Sequence, residues 1–236
     1  MAAPLHQVLA AMALWLAQAA WAAARADDMP APVAVPDTMA QRTLACTACH
    51  GREGRATNQG YFPRIAGKPA GYLYNQLLNF REGRRFNATM TYLVEHLGDA
   101  YLREIAEHFG ALDLPYPPPP AAVAGAAELQ HGEALVRQGD TARGLPACMQ
   151  CHGEALTGRT PAIPGLLGLP RDYLIAQIGN WRTGQRRAVP PDCMARIAQR
   201  LTPDDIAAVA GWLASQPVPQ PAKPADAVTL PLPCGP

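Results

Sequence analysis

The 236-residue sequence predicts an all-α protein built from two tandem copies of one unit joined by a Pro-rich linker. Three observations lead there. The pentapeptide Cys46-Thr47-Ala48-Cys49-His50 returns as Cys148-Met149-Gln150-Cys151-His152. Downstream of the first copy, Tyr72, Gln76, Phe80 and Gly83 find Tyr173, Gln177, Trp181 and Gly184, each 101 positions on. Around these markers apolar residues recur at spacings of three and four, the period of a helix face.

Before the first unit, Val8 to Ala24 is apolar apart from Gln18, and Ala24-Arg25-Ala26 offers a small-x-small cleavage site. Residues 1–26 therefore read as an export signal, which places the mature chain in the periplasm. Met1 to Gln7 lacks the usual Lys or Arg, so an uncleaved anchor is the alternative; the run is short and Ala-rich for a span. Asp27 to Asp37 is Pro- and Ala-rich and expected to be extended.

The first unit covers 37–113. Thr38 to Ala45 is a short helix entering the first Cys-x-x-Cys-His motif, followed by a loop with Gly51, Gly54 and Gly60 that Pro63 to Gly67 closes. Leu73, Leu77 and Phe80 predict a helix over 70–81, stopped by Gly83. A loop with Met90 precedes a helix over about 99–109 that puts Leu102, Ile105, Ala106 and Phe109 on one face. Residues 114–124, with Pro117 to Pro120, read as a semi-rigid polyproline spacer.

The second unit covers 125–217. Its leading helix, 126–138, is longer than its counterpart, and Pro164 to Gly168 matches Pro63 to Gly67. Met194 follows Met90 by 104 positions, as Leu201, Ile206, Val209 and Leu213 follow Leu97, Leu102, Ile105 and Phe109. Thr202, Pro203 and Asp205 are strong start signals for a last helix ending near Gln216. Residues 218–236 form a Pro- and Ala-rich tail without helical pattern.

Cys-x-x-Cys-His is the attachment signature of c-type haem: two thiols one helical turn apart bond the haem vinyl groups, and the adjacent His ligates the iron. With 6 Cys and 6 His in the chain, about 0.004 chance matches are expected, and there are two. Half a zinc site or a redox dithiol is the bland alternative, but neither calls for a His immediately after both pairs. Two covalently bound haem c groups follow, on Cys46, Cys49, Cys148 and Cys151, with His50 and His152 as axial ligands. They would also supply the apolar mass that a 6% aromatic content withholds from the cores. For the sixth ligand, Met90 is the only Met between His50 and the linker, and Met194 the only one in the second unit outside the attachment loop. Packing methionines remain the alternative for both. His96 and His108 are rival ligands without equivalents in the second unit, where Arg200 and Trp212 stand. A formal net charge of +1 points to neither nucleic acid nor an anionic membrane surface.

From about Asp37 to Pro219 the sequence resembles the dihaem class I cytochromes c of the cytochrome c4 type. The resemblance rests on ACTACHG and ACMQCHG, on GYLYNQLLNFREGRR and DYLIAQIGNWRTGQRR, and on the methionine segments. It implies two tandem class I cytochrome c domains with His/Met haems in an exported electron carrier. It also implies that Tyr72, Tyr173, Gln76 and Gln177 lie near the haem propionates at the interdomain face. Such a carrier meets a redox protein donor and acceptor transiently, and a membrane-bound respiratory complex is one such partner. Two other readings are an electron-transfer subunit of a periplasmic dehydrogenase or oxidase, and a dihaem peroxidase-type enzyme. The peroxidase needs an open axial site that a methionine in each unit argues against.

Arg81, Arg84 and Arg85 recur as Arg182, Arg186 and Arg187, either to pair with propionates or an acidic partner, or as a solvated face. Cys193 and Cys234 belong to neither haem motif and lie outside the core family pattern. In an oxidising compartment they are expected to form a disulfide; two unpaired thiols or a bridge from Cys234 to another molecule are the alternatives.

Overall fold

The computed structural model describes residues 4–27, 33–57 and 60–235. The chain forms two compact units, Met1–Asp37 and Thr38–Pro236. In the first, helix α1 (Leu5–Asp27) takes in residues 5–26 of the expected export signal, and residues 33–37 have no regular structure. The rest of the expected extended segment, 28–32, lies outside the described residues. No helix among the described residues is long and apolar enough to cross a membrane.

The second unit holds both repeats. The first comprises α2 (Met39–Arg42), α3 (Leu44–His50), α4 (Ala70–Arg81), α5 (Ala88–Val94) and α6 (Asp99–Ala111). The second comprises α7 (Ala126–Arg137), α8 (Cys148–His152), α9 (Arg171–Thr183), α10 (Cys193–Ala198) and α11 (Pro203–Ser215). A short antiparallel hairpin, β1 (Gly158–Arg159) with β2 (Ile163–Pro164), interrupts the otherwise helical second repeat. Two residues per strand are too few to show a period, so the sequence did not announce it. The methionine segments also depart from the expected loops: Met90 lies on α5 and Met194 on α10. Each short helix starts on a polar cap, Asn87 accepting from Met90 N at 2.9 Å and Asp192 from Ala195 N at 2.9 Å.

The cores repeat as the offsets foretell. Leu102, Ile105 and Phe109 of α6 are buried against α4, whose Leu73 and Phe80 face them. Their equivalents Ile206, Val209 and Leu213 of α11 are buried under α7 and α9. The longer α7 crosses α11 closely: a Cβ on Gly132 would stand 2.1 Å from the Ala208 carbonyl oxygen, so only glycine lets these backbones meet. In the first repeat α2 is braced to α6 by the Arg42–Glu104 ion pair, with the Arg42 guanidinium 4.8 Å over the Tyr101 ring.

The α11 N-terminus is a buried polar knot. Thr202 and Asp205 form a capping box, and the Asp205 carboxylate accepts from Arg143 Nη1 and His131 Nε2, each at 2.7 Å. Burial alone would push this carboxyl up; the bonds from Arg143, Thr202 and His131 outweigh it and hold it well below the usual carboxylate range.

Linker and tail are both tied down. Buried Arg64 donates to the carbonyls of Leu114 (2.6 Å) and Pro115 (3.2 Å) and lies 3.8 Å over the Tyr116 ring. The start of the linker is thus fixed to the first repeat and does not act as a free spacer. The tail adds a parallel bridge to the hairpin, with Thr160 N donating to Ala225 O and Ala225 N to Gly158 O, both 2.9 Å. It ends at the expected disulfide, Cys193–Cys234, with Cα atoms 5.0 Å apart and Gly235 N donating to Pro191 O at 2.7 Å.

Two outcomes are expected. Asp205→Ala removes a cap and a charged hydrogen-bond set and should cost about 2–3 kcal/mol in a urea melt at neutral pH. Because its folded pKa is depressed, Asp205 contributes stability above the unfolded carboxylate value of about 4, and loses it as pH falls toward the lower folded value. The variant should therefore show a shallower loss of stability on acidification, and an unchanged acid slope would contradict this role. Cys234→Ser opens a loop of 41 residues, for which chain entropy gives about 4 kcal/mol as an upper bound. Limited proteolysis should then cut the tail first, between Pro217 and Cys234.

Candidate haem sites

Both Cys-x-x-Cys-His motifs lie on helices, α3 and α8. The i, i+3 spacing puts Cys46 and Cys49, and Cys148 and Cys151, on one helix face, with His50 or His152 ending each helix. Both imidazoles are buried. Nδ1 of His50 lies 2.8 Å from Pro63 O, and Nδ1 of His152 2.8 Å from Pro164 O. A carbonyl can only accept, so each Nδ1 carries the proton and each Nε2 lone pair is free to bind a metal. Burial lowers both imidazole pKa values, against the opposing effect of these carbonyls, and favours the neutral ligand form. Sequence reasoning found Pro63 and Pro164 as repeat markers but not as the groups that set the tautomer.

The thiols fit haem better than the alternatives. Burial pushes Cys148 up to about 12 and raises Cys46 and Cys151, whereas a redox dithiol needs a lowered thiol pKa. Among the described residues no group of three or more His, Cys, Asp or Glu converges as a zinc site requires.

Met90 and Met194 occupy equivalent places in the first turns of α5 and α10. Met90 is half-buried and packs against the Phe80, Val94 and Leu102 cluster. Met194 is half-buried, and the disulfide at Cys193 anchors its neighbour in sequence. The rival His96 is 90% exposed beside Glu95, and His108 stands edge-on to Phe109.

The repeats meet through a symmetric polar core. Arg85 and Arg186 form an antiparallel backbone bridge and are both buried. Arg85 donates to Gln76 (3.0 Å), Tyr173 (3.0 Å) and Gln177 (2.7 Å). Arg186 donates to Gln177 (2.8 Å), Tyr72 (3.3 Å) and Gln76 (2.9 Å). Arg85 thus pairs with Arg186, 101 positions on, not with Arg187 as a simple count of arginines suggests; the solvated-face reading fails for both. Among the described residues no carboxylate forms an ion pair with either. Two buried cations side by side without an anion are costly, and the carboxylates of haem propionates are groups that would satisfy them.

No family model matches the sequence. A thiosulfate dehydrogenase electron acceptor of Thiomonas intermedia is 36% identical over 95% of this chain and 97% of its own length. A solved thiosulfate dehydrogenase of Marichromatium purpuratum is 35% identical with a TM-score of 0.65 over 76% of this chain, which spans 38% of that larger one. The solved cytochrome c4 of Acidithiobacillus ferrooxidans is 30% identical with a TM-score of 0.61, over 74% of this chain and 99% of its own. Duplicated motifs, a largely helical fold and likeness over nearly the whole length of the Thiomonas intermedia and Acidithiobacillus ferrooxidans relatives agree: the chain belongs to the cytochrome c4 family.

Proposed function

We propose that the chain carries two covalent haem c groups and passes single electrons between redox partners in the periplasm. The observation that carries this is the duplicated helix turn in which a buried His follows two half-buried thiols and is held at Nδ1 by a carbonyl 2.8 Å away. When bound, haem supplies the ferrous/ferric couple. Cys46, Cys49, Cys148 and Cys151 tether it. His50 and His152 present a neutral Nε2 in a fixed tautomer, so the ligand needs no proton change between the two oxidation states. Met90 and Met194 would each supply a thioether ligand to a haem iron, which would raise the potential over that of a second His. Arg85 and Arg186, steadied by Tyr72, Tyr173, Gln76 and Gln177, hold the propionates and join the two sites across one interface. The export signal and the Cys193–Cys234 bond favour an oxidising compartment.

A second, narrower reading is that the donor is a thiosulfate dehydrogenase. The relative named as that enzyme's electron acceptor, similar over 97% of its length, favours it. Acceptors then include another redox protein or a membrane-bound respiratory complex.

Mass spectrometry of the exported chain should show two haems that survive denaturation and acid extraction; one or none refutes the assignment. The ferric protein should carry the weak charge-transfer band at the red end that marks sulfur ligation. Met194→Ala should remove about half of it and open one iron to carbon monoxide in the reduced state. Rapid, full carbon monoxide binding by the unaltered protein would instead favour an enzyme. Mixing with a thiosulfate dehydrogenase and thiosulfate should reduce the haems at a rate that rises with enzyme concentration.

A further inference from the structure

Lys68 is a buried lysine that neither the motifs nor the interface arginines explain. It belongs to the first repeat, immediately before α4, and is 4% exposed. Its Nζ crosses to the second repeat and donates to Gly165 O at 3.2 Å. Gly165 follows Pro164, whose carbonyl holds His152 Nδ1 at 2.8 Å. The ammonium is therefore lodged against the strand that orients the axial ligand of the other domain. The Tyr116 ring lies 5.8 Å from the ammonium. Among the described residues no carboxylate forms an ion pair with it.

The arrangement has no mirror image. The position equivalent to Lys68, 101 residues on, is Leu169, which carries no charge back toward His50. Arg85 and Arg186, by contrast, sit in a polar core shared by both repeats.

We propose that Lys68 is a positioning residue that raises the reduction potential of the second haem from the first domain. A fixed positive charge in a dry setting disfavours the ferric state, which carries one more positive charge than the ferrous state. The charge reaches the second site only because the two domains are docked, so the potential of one haem depends on the packing of the other domain. This inference rests on the haem assignment above, and the test separates the two. Haem count and the red charge-transfer band report the assignment; the midpoint potentials report Lys68.

The experiment is a potentiometric titration of the full-length holoprotein, followed by the visible spectrum, for the unaltered chain, Lys68→Met and Lys68→Arg. The second haem is identified as the one whose midpoint responds to Met194→Ala. Lys68→Met keeps the apolar stem and removes the charge. It should disfavour reduction of the second haem by about tenfold, a fall of about 59 mV for one electron, with the first haem moving much less. Lys68→Arg should restore the second midpoint. Unchanged midpoints in Lys68→Met, equal falls at both haems, or the same fall in Lys68→Arg would each overturn the proposal. So would loss of the red band in Lys68→Met, which would mean that the side chain holds ligation and not charge.

Discussion

Two guanidinium groups buried against each other govern the way this chain is put together. Arg85 and Arg186 bridge their backbones and share four acceptors drawn from both repeats. Each arginine reaches a Tyr and a Gln of the opposite repeat, so neither half can satisfy its own cation alone. Burying like charges this way is tolerable only if the acceptors are well placed and an anion completes the set. That requirement ties the two domains together and points both inner faces at the same chemistry. The turns at Gly83 and Gly184, each with positive φ, bring the arginines round to this position after α4 and α9.

Around that symmetric centre the two repeats have diverged. The first is lightly braced, with short leading helices held by Arg42 and Glu104. The second is heavily braced. α7 meets α11 backbone to backbone at Gly132, Asp205 knots the start of α11, and the tail runs from the hairpin to a disulfide beside Met194. Rigidity is thus concentrated on the repeat that also receives Lys68.

The candidate site itself depends on modest hydrogen bonds placed well. A single carbonyl on each His chooses the tautomer, and a single polar cap on α5 and on α10 starts the helix that carries each methionine. These are bonds worth roughly 1 kcal/mol each in stability, yet they decide which atom is offered to a metal.

Much of this was legible in the sequence. The Cys-x-x-Cys-His pairs, the 101-residue offset, the faces of α4, α6 and α11, and the spare thiols of Cys193 and Cys234 are local or periodic signals, and local signals survive without a fold. The start of α11 could be read from Thr202, Pro203 and Asp205 because a cap is a contact over three residues. Other features needed the tertiary structure. The helices at Met90 and Met194 are too short to show a period. The true partner of Arg85, the carbonyls that orient His50 and His152, the fixing of the linker by Arg64 and the reach of Lys68 to Gly165 join groups 12 to 101 residues apart. Sequence spacing carries no record of which distant groups share a buried, poorly screened volume; only the packing of the two domains creates that volume and assigns its charges.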